Sequence, residues 1–391
     1  MDLLIKNARL VGTCDVTDIL ITDGLIAQIN SHISANITTF DAAGNYIAPG
    51  FVDLHAHLRD PGLTHKEDIA SGTAAAVNGG FTTVCCMPNT APPADNPDTI
   101  KYILSRPASC RALPVGAITK SQRGRELTDF AALKRAGAAA MSDDGMPVEN
   151  GALMRGALVR ARECDMLIMS HCEPEDEITE RDITLAGETG ARLHICHVST
   201  KNSAGCVAGA KARGAKVTAE TCPHYFALAD EDAPKYGVNA KMNPPLRSPE
   251  DRAAIIEAIK SGAIDCISTD HAPHSEEEKA AGMNGITGLE TAFALGVTYL
   301  VKPGHITLAR LIELLTVNPA KIIGLGRGAI APGKAADLVI FDINEKFIYD
   351  KYTSVSKSRN TPFHGFELYG KILAAIAGGA VKFSRISPTT R

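Results

Sequence analysis

The chain has 391 residues, 45% of them hydrophobic, enough for a large core and more than one compact domain usually needs. A formal charge of -4 with no run of Lys and Arg provides no basic field for a phosphate backbone, which argues against nucleic acid as a partner. No apolar stretch reaches bilayer length, which argues against a membrane-spanning role.

The opening MDLLIKNARLV alternates apolar and polar residues and has no apolar h-region behind a basic start, so it reads as a strand and not as a signal peptide. Leu3 to Val11 and Ile19 to Ile29 continue that texture, with Asp23-Gly24 as a hairpin turn, and predict a small antiparallel sheet. Apolar strand-like runs follow at Gly50 to His57, Phe81 to Met87, Leu113 to Ile118 and Ala138 to Met141. Four more lie at Met166 to His171, Leu193 to Val198, Lys216 to Ala219 and Ile264 to Ser268. Helical patterns such as Asp68 to Asn78 and Ser248 to Ser261 separate them, and strict alternation predicts a TIM-like (β/α)₈ barrel. A doubly wound sheet shares the alternation, but no G-x-G-x-x-G follows the first run. Near the end, Ala336 to Phe341 and Lys371 to Phe383 return to strands, with Gly378-Gly379 as a turn. The expectation is a barrel over residues 48–331 and a small β-sandwich domain built from 1–47 plus 332–391. Ten cysteines without a Cys-x-x-Cys pair, two of them adjacent in an apolar strand as Cys85 and Cys86, predict a reduced, cytoplasmic chain.

The chemistry-bearing residues fall at the C-terminal ends of these strands. His55 and His57 stand at i and i+2, on one face of a strand, where two imidazoles can chelate one ion. Asp144 in Ser-Asp-Asp-Gly, His171 in Ser-His-Cys-Glu, His197 in Cys-His-Val-Ser and Asp270 in Thr-Asp-His-Ala-Pro-His occupy corresponding ends, which converge on one face of a barrel. Imidazoles mixed with carboxylates are the donor set of catalytic zinc.

His55-Ala56-His57-Leu58-Arg59, Met87-Pro88-Asn89-Thr90, Lys241-Met242-Asn243-Pro244-Pro245-Leu246-Arg247 and Thr269-Asp270-His271-Ala272-Pro273-His274 together resemble the dihydroorotases of the bacterial class I type, in the amidohydrolase superfamily. The resemblance covers nearly the whole chain. It implies zinc, one or two ions per chain, with His55, His57 and Asp270 on the first and His171 and His197 on the second. Many superfamily members bridge the metals with a carboxylated lysine; here the segment carries Asp143 and Asp144, and Asp144 is the implied bridge with Asp143 as the alternative. The resemblance further implies that Arg59, Asn89 and His274 cradle a substrate carboxylate, that Asn243 and the backbone at Asn284 and Gly285 contact its ring, and that Asp270 shuttles a proton. A cation with hydrogen-bonding groups suits such an anion, while the bland alternatives are a solvated charge for Arg59 and a plain turn for Asn89. The small-molecule substrate would be dihydroorotate or N-carbamoyl-L-aspartate, the chain a homodimer, with association with aspartate transcarbamoylase as a further partnership.

His224, behind Pro223, reads as packing or as support for a ligand. His32, His65, His194, His271, His305 and His364 lack a companion ligand pattern and default to structural roles; His194 and His271 also have the wrong strand parity relative to His197 and Asp270. About twenty-five residues separate His171 from His197, fewer than the family pattern carries, with Glu180 to Ala186 as a short connecting helix.

Overall fold

A computed structural model describes residues 2–13 and 15–388; Met1, Cys14 and residues 389–391 of the expected terminal domain lie outside the described residues. The first strands are β1 (Leu3–Leu10), β2 (Val16–Thr22), β3 (Leu25–Asn30), β4 (Thr39–Asp41) and β5 (Tyr46–Pro49). Then come β6 (Phe51–Ala56), β7 (Phe81–Cys86), β8 (Arg111–Ala117), β9 (Ala140–Ser142), β10 (Leu167–Ser170), β11 (Arg192–Ile195), β12 (Val217–Thr221) and β13 (Cys266–Ile267). The last are β14 (Leu338–Ile348), β15 (Glu367–Ala377) and β16 (Ala380–Ser384).

Strands β6 to β13 pair in sequence order, each parallel to the next. The seam between the last and the first is drawn together largely by side chain and loop backbone. His57 N donates to His271 O at 2.8 Å, and Asp53 accepts from Thr269 N at 3.0 Å and from Thr269 Oγ1 at 2.6 Å. The eighth run therefore keeps only two residues of regular strand. Inside, Val52, Leu54, Cys85, Met87, Val115, Leu167, Met169, Cys196 and Cys266 form one buried cluster fed from strands around the barrel.

The two chain ends share the other sheet, ordered β16-β15-β14-β5-β1-β2-β3. It is mixed and not wholly antiparallel as expected, because β1 runs parallel to both β4 and β5. The turns β1–β2 and β2–β3 reverse the chain twice, leaving β3 in the direction of β1, and a crossover after β3 brings β4 back beside β1 in that same direction. It is also one continuous hydrogen-bonded sheet; it is sandwich-like because Leu3, Ile5, Ile19 and Ile21 from one half share a core with Leu338, Ile340, Ala374 and Ile376 from the other. Both hairpin turns use left-handed pairs, Asp23 (φ 51°) with Gly24 (φ 77°) and Gly378 (φ 59°) with Gly379 (φ 77°), the geometry that matches strand twist. A Cβ at Gly379 would lie 2.4 Å from Gly24 Cα, so the two turns touch.

The helices begin where the sequence places capping residues. Asp68 accepts from Ser71 N at 2.7 Å ahead of Ile69–Asn78, and Ser248 accepts from Asp251 N at 3.1 Å ahead of Pro249–Ser261. The helix after His171 is longer than the expected Glu180 to Ala186, running Glu175–Thr189. Glu175, Asp176 and Glu177 in its first turn suit the positive end of the helix dipole, and Thr179, Asp182, Ile183 and Ala186 form its buried face. Among the described residues no helix is long and apolar enough to cross a membrane.

Candidate metal centre and substrate cradle

His55 is the penultimate residue of β6, and His57, Asp144, His171, His197 and Asp270 follow the ends of β6, β9, β10, β11 and β13. All six are buried and meet at one end of the barrel. His57 Nε2 lies 3.1 Å from Asp270 Oδ1, and His55 Nε2 3.6 Å from the same oxygen. On the other side, His171 Nδ1 and His197 Nε2 are 2.8 Å apart. Asp144 spans the two groups: Oδ1 is 3.1 Å from His55 Nε2, 3.5 Å from His171 Nδ1 and 3.6 Å from His197 Nε2, while Oδ2 is 3.3 Å from His57 Nε2.

Asp143 faces elsewhere, accepting from Thr119 N at 3.1 Å and from Thr119 Oγ1. Burial pushes its carboxyl up to about 7. Burial would also raise Asp144, but the charge of His55 and the close imidazoles of His171 and His197 outweigh it and hold it well below the usual range. Asp270 is likewise lowered: the hydrogen bond from His57 and the nearby imidazole charges outweigh burial.

The far nitrogens of three of the four imidazoles are engaged, and His197 Nδ1 is not. His55 Nδ1 donates to Glu220 Oε1 at 2.7 Å, His57 Nδ1 to Asn89 Oδ1 at 2.8 Å, and His171 Nε2 lies 3.4 Å from Glu173 Oε2. With a metal bound both rings would be neutral, and these partners would then take the Nδ1 protons of His55 and His57 and leave Nε2 of each free as a lone pair. Buried His55 Nε2 and Asp144 Oδ1, which face the cluster, have no hydrogen-bond partner, a costly state that a divalent cation among these donors would relieve. The residues present therefore fit a metal, with His55, His57 and Asp270 forming one group of candidate ligands and His55, Asp144 and His197 another.

Glu220 was not expected. It is fully buried on β12, accepts from His55, from His194 Nε2 at 3.2 Å and from Ser268 Oγ; these hydrogen bonds outweigh burial and hold its pKa well below the ordinary range. The sequence signal was a charged residue ending an apolar barrel strand. His194 thus has a companion, and the parity argument against it and against His271 does not carry over. His197 (φ 38°) and Asp270 (φ 45°) leave extended backbone just where parity was counted. Arg59 (φ 60°) is also left-handed, and such non-glycine residues cost about 1–3 kcal/mol each, a strain typical of functional sites. His271 Nε2 lies 3.3 Å from Glu67 Oε2. His224 stands outside the cluster, its ring edge-on to Tyr225; burial pulls it down to about 4 and keeps it neutral. His32, His65, His305 and His364 are exposed.

Arg59 is buried at 7% exposure, so it is no solvated surface charge. Burial lowers it to about 10, still cationic at neutrality. Its Nε donates to Pro273 O at 3.3 Å, and Nη2 is 3.4 Å from His274 Nε2. Burial, with the charges of Arg59 and Lys66, pulls His274 down to about 3, so it is neutral. His274 Nε2 faces the carbonyl of Asn284 at 2.8 Å and must carry the proton; Nδ1 then accepts from Lys66 Nζ at 3.4 Å. Arg59, His274, Asn284 and Gly285 come together here. Asn89 instead contacts His57, and Asn243 Nδ2 donates to Glu173 Oε2 at 2.6 Å on the His171 side.

A model of the amidohydrolase family matches residues 46–382. Curated dihydroorotases from Ruminiclostridium cellulolyticum and Solibacter usitatus are 46% and 44% identical, covering 97% and 99% of this chain and 98% and 99% of their own. The first alignment spans 418 residues, longer than this chain of 391, so that relative carries residues opposite gaps here. Among solved structures, the L-hydantoinase (dihydropyrimidinase) from Arthrobacter aurescens superposes with a TM-score of 0.89 at 26% identity, covering 99% of this chain and 97% of that one.

Proposed function

The chain belongs to the amidohydrolase family, among the dihydroorotases, and from that premise we propose that it interconverts (S)-dihydroorotate and N-carbamoyl-L-aspartate, the ring-closing step of pyrimidine synthesis. One juxtaposition carries the reading: a histidine and carboxylate cluster spanned by Asp144, with the buried Arg59 guanidinium beside it. The barrel, residues 48–331, is the catalytic domain, and 1–47 plus 332–391 form its β-domain. The metal is zinc, one or two ions per chain, a choice supported by the imidazole and carboxylate donors.

When bound, the metal supplies Lewis acidity to the amide carbonyl and acidifies the attacking water. His55, His57 and Asp270 would hold one ion and His171 and His197 a second, with Asp144 available to both. Asp270 takes the water's proton as oxygen adds to the ring carbonyl carbon, and gives it to the ring nitrogen as the carbon–nitrogen bond breaks. Arg59 and His274 bind the substrate carboxylate, a charge-assisted recognition that also orients the ring. Asn89 belongs to the same cradle and orients His57, while Asn243 and the backbone of Asn284 and Gly285 meet the ring. In synthesis the steps reverse: the carbamoyl nitrogen attacks, Asp270 returns the proton, and water leaves.

A hydantoinase reading is favoured by the structural likeness alone and needs no carboxylate clamp. Assays of dihydroorotate, hydantoins and allantoin, with elemental analysis of the purified protein, separate the two: turnover confined to hydantoins or allantoin overturns the proposal. The same reading makes the chain a homodimer that associates with aspartate transcarbamoylase, tested by light scattering with and without that partner. It also makes the chain cytoplasmic, which nine free thiols among the described residues support.

A further inference from the structure

The connection between β14 and β15 leaves the terminal sheet and crosses to the barrel mouth, where Ser354, Ser356, Ser358, Asn360 and Thr361 are buried. It grips both loops that carry the carboxylate cradle. On the loop after β6, Ser356 Oγ and Lys357 N donate to Glu67, and Ser358 Oγ donates to Lys66 O at 2.7 Å. On the loop after β13, Ser354 Oγ and Val355 N donate to Glu290 near its end, and Asn360 holds the part that carries His274 and Gly285. Its Oδ1 accepts from His274 N at 3.1 Å, and its Nδ2 donates to Ala272 O at 2.9 Å and Gly285 O at 3.0 Å. Its own carbonyl accepts from Thr287 N at 2.8 Å.

We propose that Asn360 is a positioning residue that sets affinity for the substrate carboxylate by fixing the loop on which His274 and Gly285 sit. The inference rests on the dihydroorotase reading above. One acceptor and two donors at these spacings are what an amide side chain carries; a carboxylate there would meet two carbonyls with no proton to offer. The loop transmits error because it is tightly packed. Gly285 has φ 129°, and a Cβ there would lie 2.6 Å from Ala272 Cβ and 3.3 Å from His274 Nε2. Arg59 depends on the same loop through Pro273 O. The terminal domain thereby reaches the substrate without touching the candidate metal ligands.

The test uses the full-length holoenzyme with Asn360→Ala and Asn360→Asp. KM for dihydroorotate and for N-carbamoyl-L-aspartate should rise about tenfold or more, with kcat falling far less and metal content as in wild type. In an Arg59→Met background the Asn360 substitutions should add little, since both act through one cradle. An Asn360→Asp enzyme with wild-type KM, or equal losses of kcat and metal, overturns the inference, and additive effects with Arg59→Met do the same. Should both variants fail to fold, amide exchange decides on wild-type holoenzyme saturated with the equilibrium substrate mixture: the His274 and Thr287 amides should slow, and no change overturns it. A wild type that leaves dihydroorotate untouched refutes the activity and this inference with it. A wild type that turns it over beside Asn360 variants of normal KM refutes this inference alone.

Discussion

Asp143 and Asp144 are neighbours with opposite fates: burial raises the first, and surrounding imidazoles lower the second. Asp143 spends both oxygens on Thr119, whereas Asp144 presents its own to four imidazoles. Asp143→Asn should therefore keep its metal and most of its activity, while Asp144→Asn should lose metal affinity about 10–100-fold or more, measured by chelator competition. The reverse ranking would hand the bridge to Asp143. Arg59→Met should cost a few kcal/mol of transition-state stabilisation toward dihydroorotate, about 2–3, with metal content normal; unchanged kcat/KM would remove the carboxylate clamp. His224 and His274 sit near 4 and 3 against an ordinary 6.5, so the unfolded chain takes up protons that the folded chain refuses. Both contributions to stability are complete above 6.5 and are lost as pH falls through that window. In denaturant melts of chelated protein, His224→Phe should lose less stability than wild type between pH 6.5 and 4, and parallel losses would contradict the assignment. That the six strand-end residues would meet was legible because their spacing repeats the strand plan. Glu220 was not, since its meaning lies in His55, 165 positions away, and neither were Lys66 and Asn360, whose partners sit on other loops.

Among the elements, the barrel strands were legible to within a few residues because both faces are buried and their apolar runs are nearly continuous. The seam was not, since it closes through Asp53, a buried carboxyl that burial pushes up to about 6 despite its bonds to Thr269. Asp53→Ala strands Thr269 N and His55 N and leaves Thr269 Oγ1 only the long contact to His55 O, so it should cost about 2–3 kcal/mol, read as a drop of several degrees in Tm with and without metal. An unchanged Tm would mean that backbone pairing alone closes the barrel. The mixed character of the terminal sheet escaped the sequence because alternation reports which face a residue takes and says nothing of strand direction. The helix Glu175–Thr189 outran its expected span for a related reason: its acidic first turn resembles a polar loop until it caps a helix.

At the scale of the molecule, two parts divide the work. A parallel barrel brings four imidazoles and two carboxylates to one end, and a sheet made from both chain ends sends a buried strap, residues 354–361, onto the loops beside them. That end of the barrel is where metal-dependent chemistry on a ring amide bearing a carboxylate is expected. The most direct measurement removes metal with a chelator, then follows dihydroorotate hydrolysis during titration with zinc while counting bound ions per chain. Activity should vanish on removal and return in proportion to the ions bound, saturating at one or two per chain, with hydantoin turned over far more slowly. Full activity in metal-free protein, or a zinc-loaded enzyme that hydrolyses hydantoin and ignores dihydroorotate, would contradict it.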